Sequence, residues 1–300
     1  MATPQDVLPA TATAAPDPGP DPGTPIVARR RPGRLLAAAL VLLLVAVALQ
    51  SLVRNAAFQW AVVGRYFTSA AVLDGLALTL WLTAATLALG FVLGTLLAVG
   101  RMSANPVLKS VSWAYIWVFR STPPLVQLLF FFNIGALYPT LSLRLPFGGP
   151  ELLHARTVNL LGPTVTAVIG LTLLEAAFAA EVVRGGILSV ERGQLEAAQA
   201  LGLGRVRVLR RIVLPQAMRS IVPAAGNMLI GALKGTSIVS VLAVHDLLYS
   251  VQLIYNQTYQ IIPLLLVATL WYLVLTGVLA VGQHYLERYF ARGRRPGGAA

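Results

Sequence analysis

The 300-residue sequence contains no cysteine, only three histidines and few charged residues, which make up 11% of the chain. The absence of cysteine excludes disulfide frameworks, thiol catalysis and cysteine-based zinc sites. The histidines, His154, His245 and His284, have no metal-binding spacing. No G-x-S-x-G sequence indicates a serine hydrolase, and no paired carboxylates indicate a membrane enzyme. We therefore predict neither a metal site nor a catalytic residue.

The scarcity of charge accompanies a high apolar content of 57% and a mean hydropathy of +0.74. Soluble domains carry about 25% charged residues, so this composition is that of a membrane protein. A net charge of +12 can indicate nucleic-acid binding. Here, however, the basic residues lie between apolar runs instead of clustering on one polar face, and no nucleic-acid partner is expected.

Six apolar stretches predict an all-α fold, a polytopic membrane bundle of about six transmembrane helices. A bilayer core of about 30 Å requires about 20 residues at 1.5 Å per residue. The stretches are residues 35–53, 72–99, 121–137, 164–187, 220–244 and 261–286.

The chain before the first span, residues 1–34, is rich in proline and lacks apolar periodicity, which predicts a disordered cytoplasmic tail. The apolar run at 35–53 is longer than the roughly 7 to 15 apolar residues of a signal peptide. It is therefore interpreted as an uncleaved N-terminal transmembrane helix; a cleaved signal peptide is the alternative.

The distribution of lysine and arginine predicts the orientation of the chain in the cell (plasma or inner) membrane. Most of the 23 basic residues flank the spans on the side of the N-terminal tail. Four fall in segments on the opposite side: Arg54, Arg65, Arg144 and Arg156. Because cytoplasmic segments are enriched in Lys and Arg, we expect both termini in the cytoplasm.

Two local patterns predict where helices pack closely and where a helix lies at the membrane interface. Gly90 and Gly94 form a G-x-x-x-G step, which predicts a close approach between two helices. Residues 109–120 contain Trp113, Tyr115 and Trp117, which predicts an interfacial helix with its aromatic rings at the depth of the lipid headgroups.

The most informative segment is the predicted cytoplasmic loop at 191–219. Residues 196–201 favour helix, residues 202–204 interrupt it, and a basic helix is predicted from Arg205 until Pro215. A basic surface helix that binds anionic lipid is one interpretation of this segment.

The loop also carries a specific pattern: E-A-A, three residues, G, nine residues, then I-x-L-P. Every position is filled, by Glu196, Ala197, Ala198, Gly202, Ile212, Leu214 and Pro215. The pattern resembles the EAA loop of ABC importer permease subunits. Residues 78–80, 119–127, 180–187 and 233–237 resemble the polar amino acid branch of that family, and the resemblance covers residues 72–286. It implies a five-helix permease domain at 72–290, preceded by one extra helix.

The resemblance also implies partners and a mechanism. The loop at 191–219 would couple the permease to cytoplasmic ABC ATPase subunits, which bind ATP and Mg²⁺ and drive alternating access; this chain itself would bind no cofactor. An extracytoplasmic amino-acid-binding receptor, a second permease subunit in a homo- or heterodimer and membrane lipid complete the expected partners. Within this sequence the nearest approach to a phosphate-binding P-loop, residues 231–237, has its lysine before the glycine.

The main alternative is a secondary transporter or channel driven by an ion gradient, which would need no ATPase. The filled EAA pattern argues against it.

Ionisable residues inside predicted spans are candidates for the substrate path. Glu175 lies near the midplane of the fourth span and Lys234 lies within the fifth. One hypothesis is that Lys234, with Thr236 and Ser237, meets the substrate carboxylate while Glu175 meets a cationic group. The equally weighted alternative is that Glu175 and Lys234 neutralise each other in the low dielectric.

Further candidates have competing structural roles. Asn227 and Gln127 either line the path or form hydrogen bonds between helices. Glu181 either contacts substrate or, as we favour, pairs with Arg184 one turn away. The segments after Leu137 and Val244 are expected to receive the receptor. Tyr249, Tyr255, Asn256 and Tyr259 in the second of these form either a partner surface or ordinary interface aromatics.

Overall fold

The computed structural model of the protein describes residues 32–144 and 151–291. Two compact units are present, divided after Arg54. The first unit contains helix α1, Pro32–Arg54, which includes the predicted span 35–53. Its apolar side chains are exposed, as in Leu42 at 68%, which suits a helix whose surroundings are lipid. The predicted disordered tail lies outside the described residues, except for its last three positions.

In the part of the chain that the structure describes, the second unit is helical apart from one pair of strands. Within the described residues its α-helices are α2 (Trp60–Phe67), α3 (Ala70–Arg101), α4 (Pro106–Ser121), α5 (Pro124–Phe132), α6 (Ile134–Leu137), α7 (Thr157–Leu160), α8 (Pro163–Leu188), α9 (Arg192–Ala200), α10 (Arg205–Val208), α11 (Leu214–Gly235), α12 (Leu247–Thr258) and α13 (Ile261–Ala291). Strands β1 (Thr140–Arg144) and β2 (Glu151–Arg156) pair in antiparallel fashion. The all-α membrane fold predicted from the apolar runs is confirmed.

Within the described residues, five helical stretches are long and apolar enough to cross a membrane: α1, α3, α8, the stretch Arg205–Leu242 and α13. The predicted third span, 121–137, is instead divided into α5 and α6. The division falls at Asn133, whose side-chain amide donates to the carbonyl of Leu129 at 2.8 Å. Asparagine often competes with the helical backbone in this way, and the apolar pattern alone does not report it.

Helices α3 and α8 form the centre of the second unit and run parallel to each other. A Cβ atom at Gly90 would lie 2.8 Å from the Cβ of Glu175, and one at Gly94 would lie 2.6 Å from the Cβ of Ala179. Two backbones can approach this closely only where both glycines are kept. The predicted close packing at the G-x-x-x-G step is therefore confirmed, and it fixes Glu175 at a helix–helix contact.

Several elements had no counterpart in the sequence prediction. Helix α2 lies in a predicted connection, and the strands β1 and β2 and helix α12 lie in the segments expected to receive the receptor, for which the sequence predicts no secondary structure. Helix α12 is attached to the bundle through Leu247 and Val251, which are fully buried with Val72 of α3 and Leu264 of α13. The short helices thus close one end of the bundle, and the loop 191–219 lies at the other.

Candidate coupling loop and transport path

The segment with the EAA pattern is a compact helical knob. Helix α9 ends at Ala200, and Gly202 follows with φ +65°. The Leu203 N–H donates to the Ala198 carbonyl at 3.1 Å, and the Gly202 N–H donates to the Gln199 carbonyl at 2.9 Å. These two bonds define a Schellman cap, in which the left-handed position favours glycine. The predicted break after residue 201 is confirmed, and its physical basis is this cap.

The side chains of the pattern divide into a supporting and an exposed group. Ala198 is buried at 2% exposure, so it packs against its own chain, whereas Glu196 and Ala197 are exposed. The knob also exposes three large apolar side chains that the motif did not identify, Leu201 at 77%, Val206 at 66% and Leu209 at 49%. Exposed apolar groups of this size on a polar loop are typical of a protein contact surface.

The knob is attached to the spanning helices by an apolar cluster. Val190, Val213, Ala217 and Ile221 are buried together at the ends of α8 and α11. Leu195 of α9 and Val208 of α10 pack against this cluster. Because α9 and α10 share one core with α8 and α11, a displacement of the knob must displace these two helices.

The prediction that the basic helix stops at Pro215 is wrong. The chain is helical from Arg205 through Leu242, with a π-helical turn at Leu209–Val213. In this turn the Leu214 N–H donates to the Leu209 carbonyl. A regular α-helix would place the proline ring against the carbonyl four residues earlier, and we attribute the tolerance of Pro215 to the wider π turn. Of the remaining motif positions, Ile212 is half-buried, and Leu214 and Pro215 are exposed.

Glu175 lines a cavity of about 290 Å³ between α3, α8 and α11. Among the described residues that line the cavity, Glu175 is the only carboxylate, and its side chain is half-buried. The opposite wall is formed by small residues of α11, Gly231, Ala232 and Gly235. A charged group surrounded by apolar and small residues within a span is costly unless a cation or a polar ligand compensates it.

Lys234 lies on another face of α11. Its side chain is exposed and lines a separate cavity of about 320 Å³ with Ser237, Tyr272 and Thr276. Among the described residues, no ion pair within 4.0 Å joins Lys234 to Glu175. The alternative in which these two residues neutralise each other therefore does not describe this structure.

The predicted hydroxyl groups bond to the helix backbone. Thr236 is buried and donates to the Leu233 carbonyl at 2.7 Å. Ser237 donates to the Lys234 carbonyl at the same distance and is only half-buried. Of the two, Ser237 is the one that shares a cavity with Lys234.

The remaining candidates have structural partners. The Gln127 amide donates to the carbonyls of Phe119 and Thr122, both at 2.8 Å, and joins α5 to the end of α4. Arg184 Nη2 lies 2.6 Å from Glu181 Oε2, which confirms the favoured local pair. Asn227 is exposed, with only a 3.4 Å bond to the Pro223 carbonyl one turn earlier. The path role of Asn227 remains a prediction.

One buried carboxyl was not identified from the sequence. Asp246 is fully buried and caps α12, accepting the Tyr249 N–H at 2.9 Å through Oδ1. Its Oδ2 has no hydrogen-bond partner among the described residues. Burial raises the pKa of Asp246 to about 6, opposed by the backbone N–H groups of Tyr249 and Leu248. An aspartate directly before an apolar helix is a recognisable cap signal, but sequence does not reveal such burial.

No group of His, Asp and Glu that could hold a metal ion is present in the described part of the chain. The His154 side chain lies outside the described side chains. His245 contacts Tyr249 edge-on, and His284 contacts Tyr285.

Comparison with known proteins identifies the family to which this architecture belongs. Residues 90–292 match the model of a family described as binding-protein-dependent transport system inner membrane component. The arginine transport system permease protein of Corynebacterium glutamicum is 43% identical over 267 residues, which cover 88% of this chain and 82% of that protein. The histidine/lysine/arginine/ornithine transport system permease protein of Salmonella typhimurium is 37% identical over 68% of this chain and 83% of its own length.

Solved structures agree with the sequence relatives. A crystal structure of an amino acid ABC transporter with histidines superposes with a TM-score of 0.63 at 31% identity, covering 73% of this chain and 94% of that chain. An inward-facing methionine ABC transporter shares the fold with a TM-score of 0.57 at 22% identity, over 73% of this chain and 96% of that chain. The chain therefore belongs to the inner membrane components of binding-protein-dependent transport systems, as a multi-pass permease of the polar amino acid ABC importer type.

Proposed function

We propose that this permease imports a polar amino acid by alternating access, driven by ATP hydrolysis in a separate subunit. The observation that carries this proposal is the EAA loop: a capped helical knob with exposed Leu201 and Val206 that shares one apolar core with α8 and α11. A rigid knob transmits displacement to the spanning helices, whereas a flexible loop would absorb it. Two cytoplasmic ATPases would dock on this surface and bind the ATP and Mg²⁺.

The substrate class that best fits the path is a cationic amino acid. Glu175 offers a carboxylate inside a membrane cavity, where it would meet an ammonium or guanidinium group. Lys234, with Ser237, lines a separate cavity on another face of α11, so it would meet the substrate carboxylate at a different position along the path from Glu175. Relatives named for arginine and for histidine, lysine, arginine and ornithine support this class. A relative from Bacillus subtilis named as a probable glutamine permease, 35% identical, favours neutral polar amino acids as the second candidate.

The remaining parts of the assembly follow from the same proposal. A second permease subunit would complete the pathway, and an extracytoplasmic receptor would deliver substrate to the side opposite the EAA loop. Both termini would lie in the cytoplasm, because the basic residues concentrate on the side of that loop.

Reconstitution tests the function directly. The full-length permease, its ATPase and its receptor are placed in proteoliposomes, and uptake of labelled arginine, glutamine and glutamate is measured with and without ATP. We expect uptake that requires both ATP and the ATPase. Uptake driven by a proton or sodium gradient without ATP would establish the secondary transporter instead.

Substitution of the path carboxylate tests the substrate class. Glu175→Gln keeps the size and removes the charge, and Glu181→Gln is its matched control in the same helix, since Glu181 pairs with Arg184. An ionic contact is worth about 1.5 to 3 kcal/mol, so we expect Glu175→Gln to raise the arginine concentration for half-maximal uptake at least tenfold, with a much smaller effect on glutamine. Equal effects on both substrates would contradict the assignment.

A further inference from the structure

A second polar cavity adjoins that of Glu175, since Phe178 lines both, and extends from there to Arg101 and Arg184 toward the EAA loop. It has a volume of about 480 Å³ and lies between α3, α4 and α8. Its polar lining consists mainly of three arginines, Arg101, Arg120 and Arg184, with Glu181 as the only carboxylate. The volume falls within the range of about 300 to 1,000 Å³ that is usual for ligand pockets.

The charges of this cavity are not balanced by the protein. Glu181 is already paired with Arg184 at 2.6 Å. Among the described residues, neither Arg101 nor Arg120 has a carboxylate within 4.0 Å. The Arg101 Nε is buried without a hydrogen-bond partner, and the Arg120 guanidinium lies 5.5 Å from the centre of the Phe178 ring. Two uncompensated guanidinium groups in a partly enclosed site favour an anion with several oxygen acceptors, such as a phosphate.

The surroundings of the cavity identify the source of the phosphate. Trp113 and Trp117 line it, with parallel rings 6.1 Å apart and side chains 50% and 58% exposed. They belong to α4, which at 16 residues is too short to span a bilayer and exposes further apolar side chains such as Val107 and Val111. Exposed tryptophans on a short apolar helix are typical of the membrane interface, where the available phosphate belongs to a lipid.

We propose that this cavity binds the headgroup phosphate of an anionic phospholipid, held by Arg101 and Arg120 and flanked by the two tryptophans. Basic pockets between spanning helices recognise lipid headgroups by this chemistry. The assignment to the cytoplasmic leaflet rests on the orientation given under Proposed function, whereas lipid binding itself does not. Because α8 carries Arg184 at the cavity and then enters the EAA loop, a bound lipid would contact the helix that the ATPases move.

Native mass spectrometry of the purified full-length permease tests the proposal. Equal amounts of phosphatidylglycerol and phosphatidylcholine are added, and the lipid retained on the protein is counted. We expect phosphatidylglycerol to be retained preferentially. Arg101→Gln and Arg120→Gln should each lower its affinity about fivefold, which corresponds to about 1 kcal/mol per basic residue. Lys109→Gln is the matched control, because Lys109 is an exposed cation of α4 that does not line the cavity.

Each other outcome has a defined meaning. Equal retention of the two lipids by the unmodified protein would overturn the proposal, as would a loss in Lys109→Gln equal to that in Arg101→Gln. Displacement of phosphatidylglycerol by millimolar inorganic phosphate would show a site for soluble anions and would overturn the lipid assignment. Arg120→Lys, which keeps the charge, should retain most of the preference and separates loss of charge from loss of fold. Transport is not measured, so failure here leaves the proposed function untouched.

Discussion

Gly202, which caps helix α9 in the left-handed conformation, allows the conformation of the EAA loop to be tested by changing one backbone position. Gly202 has φ +65°, and a Cβ atom added there would meet no atom within 4 Å. Gly202→Ala therefore introduces no clash, and its whole cost is the left-handed conformation, about 1 to 2 kcal/mol for a residue with a side chain. At 25 °C this corresponds to a roughly 5- to 30-fold fall in the population of the capped knob relative to alternatives.

Gly204 provides the matched control two residues further on. It has φ −64° and ψ 148°, an ordinary extended conformation, and it too has open space around its Cα. Gly204→Ala should therefore be neutral. Gly202→Asn should fall between the two alanine variants, because asparagine tolerates the left-handed region better than alanine does.

The measurement is the affinity between the purified permease and its ATPase, together with substrate-stimulated ATP hydrolysis in proteoliposomes. We expect Gly202→Ala to weaken association by up to about 5- to 30-fold and to lower stimulated hydrolysis, while Gly204→Ala matches the unmodified protein. If both alanine variants lose the same amount, the cap is not the cause. If Gly202→Ala loses nothing, the knob conformation does not govern docking.

Three further predictions concern stability, measured by thermal unfolding in detergent. Gly94→Ala should destabilise the folded protein by about 1 to 3 kcal/mol, because its Cβ would lie 2.6 Å from that of Ala179. Gly185→Ala is the control, because a Cβ atom there would meet no atom within 4 Å. Equal losses of stability in the two variants would contradict the packing argument. Gln127→Leu should lower the stability of the fold by about 1 to 3 kcal/mol, because the carbonyls of Phe119 and Thr122 lose their hydrogen-bond donor. An unchanged melting temperature would show that water replaces the amide as donor. The pKa of Asp246 is raised to about 6 from an ordinary 3.8, so the folded state holds this proton more tightly. Stability should then fall by about 3 kcal/mol as pH rises from 4 to 6 and stay lower above that. Asp246→Asn should remove this dependence and be more stable at pH 7.5, and a variant that is less stable than the unmodified protein at that pH would contradict the argument.

Features that depend on local chemistry were predictable from the sequence. Apolar runs located the long helices because lipid demands about 20 apolar residues in succession. Gly90 and Gly94 indicated close packing, and Gly202 indicated the turn, because each position needs the absence of a side chain.

Features that depend on tertiary position were not predictable. Pro215 predicts the end of a helix, yet the helix continues through it because the preceding turn is π-helical. Glu175 and Lys234 occupy successive spans, but the rotation of α11 places them in separate cavities. Arg101 and Arg120 lie 19 positions apart in the sequence, and only the fold brings them to one cavity.

The helical stretch Arg205–Leu242 begins in the EAA loop and continues through the bundle without a break. Its 38 residues extend about 57 Å at 1.5 Å per residue, and they include a π turn at Leu209–Val213 and a 3₁₀ helix at Thr236–Leu242. Pro223 lies within this rod and lacks the N–H that would bond to the carbonyl four residues earlier. Bending is easiest there, which divides the rod into an arm joined to the knob and an arm that carries Lys234. Under the proposed coupling, the position of that joint would determine how much of a movement imposed on the knob by the ATPases reaches Lys234.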